Sequence, residues 1–209
     1  MDNRLLIATN NQNKFKELKE LLNDLPIQLL SLNDFPNAIE VEEDGSSFRE
    51  NAEKKALGFA RQTSCLTLAD DSGLSVDYLK GNPGIYSARF AGPEKDDLKN
   101  CNKVIDLLKS VPPEDRSASF KCALALATPD AVVSVVEESV SGFITDRMTG
   151  KNGFGYDPLF FYPNFGKTFG EVSSDLKHSV SHRGKALCRM KEVLREYFKN
   201  RSGAVSSSG

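Results

Sequence analysis

This 209-residue chain has little histidine and little cysteine, and what it has is scattered. Its two histidines, His178 and His182, lie in no recognisable nucleophile motif. A Ser-His or Cys-His mechanism therefore finds little support, which leaves water, activated by carboxylate and metal, as the attacking group. The cysteines Cys65, Cys101, Cys122 and Cys188 form no Cys-x-x-Cys pair. Neither a zinc cage nor a disulfide framework follows, and reduced, buried thiols are expected. Charge of one sign is also missing: Lys+Arg number 27 against 29 Asp+Glu. No global basic field would draw the chain onto nucleic acid or a membrane, so any anion site must be local. The first apolar run, Leu5-Leu6-Ile7-Ala8, is too brief for a signal-peptide core or a membrane span, which implies a cytoplasmic protein.

What is present reads as an α/β chain. Leu5 to Ala8 predicts a buried strand, and Phe15, Leu18, Leu21 and Leu22 recur at helical spacing after it. Ser47 and Glu50 fit a capping box that opens a second helix, with Phe48, Ala52, Ala56 and Phe59 along one face. Cys65 to Ala69 predicts a short strand ending at Asp70-Asp71. Leu98, Cys101, Ile105 and Leu108 predict a helix that Pro112-Pro113 must end. Beyond it, the alternation at Phe120, Cys122, Leu124 and Leu126, the β-branched run Val132 to Val140 and the segment Pro158 to Tyr162 predict strands. A last helix from about Ser181 carries Leu187, Met190, Leu194 and Tyr197. The expected architecture is an elongated mixed β-sheet with flanking helices, its two lobes around a central substrate cleft. Residues 1–200 would form a single domain, and 201–209 a loose tail.

Three polar segments sit at strand ends or helix starts, where ligands of open α/β sheets bind. The first is Thr9-Asn10-Asn11-Gln12-Asn13-Lys14. Its side chains and the helix amides after it could cradle a phosphate, with Lys14 as a mobile charge; an ordinary Asn-rich helix cap would look the same. Lacking glycine, it is not a Walker A loop. The second is acidic: Glu42-Glu43-Asp44 and Asp70-Asp71. Carboxylates suit magnesium, which takes oxygen ligands while bridging substrate phosphates, though a solvated acidic patch before a helix would have the same composition. Adjacent strand residues point to opposite faces, so one aspartate can hold metal while the other positions a helix or loop. The third comprises Gly153-Phe154-Gly155-Tyr156-Asp157-Pro158, Lys177 and Ser181-His182-Arg183. Phe154 or Tyr156 can present a flat face to a base, and Lys177, His182 and Arg183 offer donors.

Taken in order, these motifs resemble the inosine triphosphate pyrophosphatase family, also called the Ham1 or non-standard purine nucleoside triphosphatase family. Thr9-x-Asn11-x-x-Lys14, Glu50-Asn51-Ala52 with Lys55, Ala69 to Leu74, Pro83 to Arg89, Gly153 to Pro158 and Ser181 to Arg183 carry the resemblance over nearly the whole chain except the tail. It implies magnesium-dependent hydrolysis of the α–β phosphate bond of ITP, dITP or XTP by a homodimer. It would make Asp71 general base and metal ligand, Glu43 a metal ligand with Glu42 as the alternative, and Thr9, Asn11 and Lys14 phosphate binders. Lys14 would also neutralise charge on the leaving pyrophosphate. Asn10, Gln12, Asn13, Lys55, Ser72, Phe154, Gly155, Tyr156, Asp157, Lys177, His182 and Arg183 complete the expected substrate contacts. Cationic donors such as Arg183 or Lys177 would favour the 6-oxo group of hypoxanthine and xanthine over the amino group of adenine.

Overall fold

A computed structural model of the chain describes residues 3–206, with side chains through residue 201. Strand β1 (Arg4–Ala8) is buried from Leu5 onward and pairs in parallel with β2 (Gln28–Ser31) and β3 (Thr67–Val76), placing Leu6 opposite Leu30 and Thr67. Burial on both faces is why β1 reads as an unbroken apolar run rather than an alternating one. Helix α1 (Gln12–Leu21) follows β1, and α2 (Phe48–Thr63) starts at the expected cap, Ser47, whose hydroxyl accepts from the Glu50 amide. The return bond goes one residue earlier than in a standard capping box: Glu50 accepts from the Ser46 amide at 2.8 Å.

The remaining elements are α3 (Asp97–Leu108), β4 (Ser117–Ala127), β5 (Val132–Ile144), β6 (Phe160–Tyr162), β7 (Lys167–Thr168), α4 (Ser174–His178) and α5 (His182–Ser206). The seven strands form one mixed sheet in the order β2-β1-β3-β4-β5-β6-β7, with β5, β6 and β7 successively antiparallel. In α3 the buried positions include Cys101, Val104 and Leu108; Leu98, counted above on this face, sits in the first turn and is exposed. Cys65, Cys101 and Cys122 are buried thiols outside any disulfide, as expected, whereas Cys188 lies off the buried face of α5 and is exposed.

The chain divides into two compact units. Unit 1 comprises Met1–Asp71, Ala123–Glu137 and Ala186–Gly209. One cluster of its core is built largely of small residues, Ala8, Ala52, Ala56, Ala60, Ala69, Ala123, Ala125 and Ala127 around Leu6 and Phe59, while larger side chains such as Leu5, Ile7, Leu18, Leu68 and Leu187 are buried outside it. Unit 2 comprises Ser72–Cys122 and Glu138–Lys185 and packs aromatic rings instead. Phe120 and Phe160 lie with ring centroids 4.6 Å apart, and Phe160 and Phe169 5.0 Å.

Helix α5 carries helical backbone to Ser206, past Arg201, where the sequence places the start of a loose tail. No proline interrupts this stretch, and a helix already nucleated adds residues at little cost. The last three tail residues lie outside the described ones. Among the described residues no helix is long and apolar enough to cross a membrane.

Candidate active site

In unit 1 the turn between β1 and α1 is organised by its own side chains. Thr9 Oγ1 accepts from the Asn11 amide at 3.1 Å, and Asn11 Oδ1 accepts from the amides of Asn13 and Lys14 at 2.9 and 3.0 Å. Asn11 is the helix cap, so these amides, expected to cradle a phosphate, are taken up by the chain itself. Asn10, Gln12 and Asn13 are exposed at the turn. Lys14 reaches from α1 to Asp70 Oδ1 at 2.6 Å, an ion pair whose carboxylate is fully buried.

The acidic pair does not end a strand, as the sequence suggests. β3 runs on through Asp70, Asp71, Ser72 and Gly73 to Val76, and is buried along almost its whole length. Aspartate disfavours strands because its carboxylate needs partners. Here both find them: Asp70 on Lys14, and Asp71 on Asn51, whose Nδ2 donates to Asp71 Oδ2 at 3.1 Å. Consecutive strand positions thus separate the two aspartates, and Asp70, whose role the sequence leaves open, holds Lys14.

Helix α2 presents Asn51 and Lys55 one turn apart, both buried. Lys55 Nζ binds Glu43 Oε1 at 2.9 Å and donates to the Asp70 carbonyl at 3.2 Å. Glu43 is half-buried, and its charge acts on Asp71; Glu42 is exposed, and its charge is felt instead by Lys54. Burial pushes the Asp71 carboxyl up to about 6 and Glu43 adds to the rise, against the opposing pull of Lys14, Lys55 and the Asn51 hydrogen bond. Carboxylates and ammonium groups of both signs therefore surround one buried oxygen acid. Among the described residues no three His, Cys, Asp or Glu side chains gather as a metal cage.

Unit 2 gathers the third group. The loop Gly153 to Pro158 is tied down by several of the residues that sequence reasoning singled out. Asp157 Oδ2 accepts from the Phe154 amide at 2.8 Å and from Lys177 Nζ at 2.6 Å, and both Asp157 and Lys177 are almost fully buried. Gly153 has φ +73, and a Cβ there would collide with the Asp157 carboxylate, so only glycine lets the loop close on that acid. Asp97, from the first turn of α3, accepts from the Gly155 amide at 2.8 Å. Phe154 is half-buried with Lys177 Nζ 4.9 Å and Arg183 Cζ 5.6 Å from its ring centroid. Arg183, itself buried, donates to Ser72 Oγ at 2.8 Å.

Tyr156 is turned inward. It belongs to the core of unit 2, its hydroxyl donates to the Ser87 carbonyl at 2.8 Å, and burial drives its ionisation far up. Of the two aromatics only Phe154 keeps an accessible ring. His182 starts α5 and stacks on Phe120 with centroids 4.9 Å apart.

A sequence profile of the Ham1 family matches residues 5–193. The chain belongs to the Ham1 family. It is 50% identical over 195 residues to the dITP/XTP pyrophosphatase of Desulforamulus reducens, covering 93% of this chain and 97% of that protein. The dITP/XTP pyrophosphatase of Geobacter sulfurreducens is 48% identical over 191 residues, 91% of this chain and 96% of that protein. The solved Ham1 protein of Staphylococcus aureus superposes with a TM-score of 0.82 at 38% identity over 93% of this chain and 99% of that one. A HAM1 protein from Coxiella burnetii gives 0.84 at 39%, over 92% and 98%.

Within this Ham1 chain two polar residues escaped the motif reading as site candidates, Asn51 and Asp97. Asn51 had a signal: an amide on the same face of α2 as Ala52, Ala56 and Lys55 is a polar group that burial must satisfy. Asp97 had none, because only the tertiary fold brings the start of α3 to Gly155.

Proposed function

We propose that this Ham1 protein hydrolyses the α–β phosphate bond of non-standard purine nucleoside triphosphates, ITP, dITP and XTP, to the monophosphate and pyrophosphate, clearing them from the nucleotide pool. The observation that carries the reading is the buried Asp71 carboxyl, held by the Asn51 amide and within the field of Lys14, Lys55 and Glu43. A buried carboxylate so held can take a proton from an attacking water. The close relatives named dITP/XTP pyrophosphatases support the substrate class.

In unit 1, Asp71 takes a proton from the attacking water as the new oxygen–phosphorus bond forms and the α–β anhydride bond breaks. Lys14, held by Asp70, offsets the charge that builds on the departing pyrophosphate, and Lys55 does the same beside Glu43. Glu43 and Asp71 supply oxygen donors only, which fits magnesium bound by one or two carboxylates and substrate phosphates. Glu43 rather than the exposed Glu42 is the partner proposed. Bound there, the ion supplies charge neutralisation and Lewis-acid polarisation at the phosphoryl oxygens.

In unit 2, Phe154 offers the stacking face and Arg183 the donors for the 6-oxo group, while Lys177, paired to Asp157, holds the loop in place. The protein works as a homodimer in the cytoplasm, without nucleic acid or membrane. Pyrophosphate release measured with magnesium on ITP, dITP, XTP, GTP and ATP tests the reading. Release from the first three well above ATP is expected; orthophosphate as product, or no turnover of any of them, overturns it. Sedimentation velocity at micromolar protein is expected to give a dimer.

A further inference from the structure

We infer that Asn51 is a positioning residue for Asp71, a role that rests on Asp71 acting as proposed above. Its carboxamide spans two partners: Oδ1 accepts from the Gly45 amide at 2.7 Å, and Nδ2 donates to Asp71 Oδ2 at 3.1 Å. Asn51 is buried, as is Asp71. The orientation of the amide is fixed by the chemistry of its neighbours. A backbone N–H can only donate, so the carbonyl oxygen must face Gly45, and the NH2 must then face the carboxylate.

One helical turn on, Lys55 repeats the pattern. It binds the Glu43 carboxylate with the same ammonium that donates to the Asp70 carbonyl. Asn51 and Lys55 are thus two rungs from one face of α2, each with one end on the acidic segment (Gly45, Glu43) and the other on β3 (Asp71, Asp70). Together they set the distance and facing of the Glu43 and Asp71 carboxylates before any ligand arrives. Gly45 is fitted to this: a Cβ there would come within 2.6 Å of Asn51 Oδ1.

The test is a double-mutant cycle of Asn51→Asp and Asp71→Asn, with ITP turnover read beside thermal unfolding in EDTA. Asn51→Asp keeps the acceptor for Gly45 but turns the donor toward Asp71 into a second carboxylate. Turnover number is expected to fall about 100-fold, as misplacing a reacting group does. KM for ITP stays within about threefold of wild type. The melting temperature drops in the wild-type background and recovers when Asn51→Asp is combined with Asp71→Asn, because the amide introduced on β3 then donates to the carboxylate introduced on α2.

Wild-type turnover in Asn51→Asp overturns the inference, and so does an equal loss of melting temperature in both backgrounds, since a purely structural amide would behave that way. If Asn51→Asp alone does not fold, a folded double variant supports the pairing and an unfolded one refutes it. Gly45→Ala, which displaces the amide without adding charge, is expected to lower turnover at unchanged KM; unchanged turnover there also counts against it. If wild type itself releases no pyrophosphate, the proposed activity fails, while the melting cycle still reports whether the pairing exists.

Discussion

Unit 1 and unit 2 hold their polar groups in opposite ways. In unit 1 the groups are ionic: Lys14 pairs with Asp70, Lys55 with Glu43, and Asp71 is under pressure from burial. In unit 2 a buried ion pair, Lys177 with Asp157, and a buried arginine frame one aromatic ring beside an aromatic core. In the first, burial works against the Asp71 charge; in the second, Lys177 with Asp157 and Arg183 with Ser72 fix a surface. Variants in unit 1 should therefore be felt in rate, and those in unit 2 in affinity and folding.

Asp71→Asn bears hardest on that division. Turnover of ITP is expected to fall roughly 10³-fold, the scale of a lost general base. Its stability effect has the opposite sign. Because the folded carboxyl sits at about 6 against an ordinary 3.8, the folded state binds the proton more tightly, so stability is greatest at low pH and is lost as pH rises through about 6. In EDTA at pH 8 the variant should therefore be more stable than wild type, by about 3 kcal/mol at most. Denaturant titrations should show the gap closing toward pH 4, and a variant less stable at pH 8 would break the contrast.

Lys177→Met in unit 2 removes one partner of a buried pair and strands Asp157, so unfolding free energy should drop by about 3–5 kcal/mol in urea. Phe154→Ala should leave turnover number nearly intact and raise KM for ITP by the loss of about 1–3 kcal/mol of stacking. A fall in turnover number instead would erase the distinction between the units. Smallest is Ser72→Ala, which takes one hydrogen bond from Arg183 and should raise KM through a loss of about 1 kcal/mol, measured in the same assay.

Much of this was legible in the chain. The β1 run, the Ser47 cap and the helical spacing of α1, α2 and α5 could be read because local period and capping are decided within a few residues. Three points could not. The acidic pair reads as a strand end, yet β3 continues through it, since Lys14 and Asn51, far off in sequence, satisfy its carboxylates. Glu42 and Glu43 are equivalent in sequence, and only Lys55 on α2 separates the half-buried one from the exposed one. Phe154 and Tyr156 are both aromatic in a glycine-rich loop, and the Ser87 carbonyl draws only Tyr156 into the core.

Residue order alone settles which chemical groups are available and which elements carry them: oxygen acids and lysines at the early strands and helices, an aromatic and cationic set late in the chain. The tertiary structure decided their states. It chose which carboxylate is buried with a displaced proton affinity, which lysines are committed to ion pairs, and which ring stays accessible. These depend on desolvation and on partners brought together across the chain, quantities that residue type and spacing do not contain.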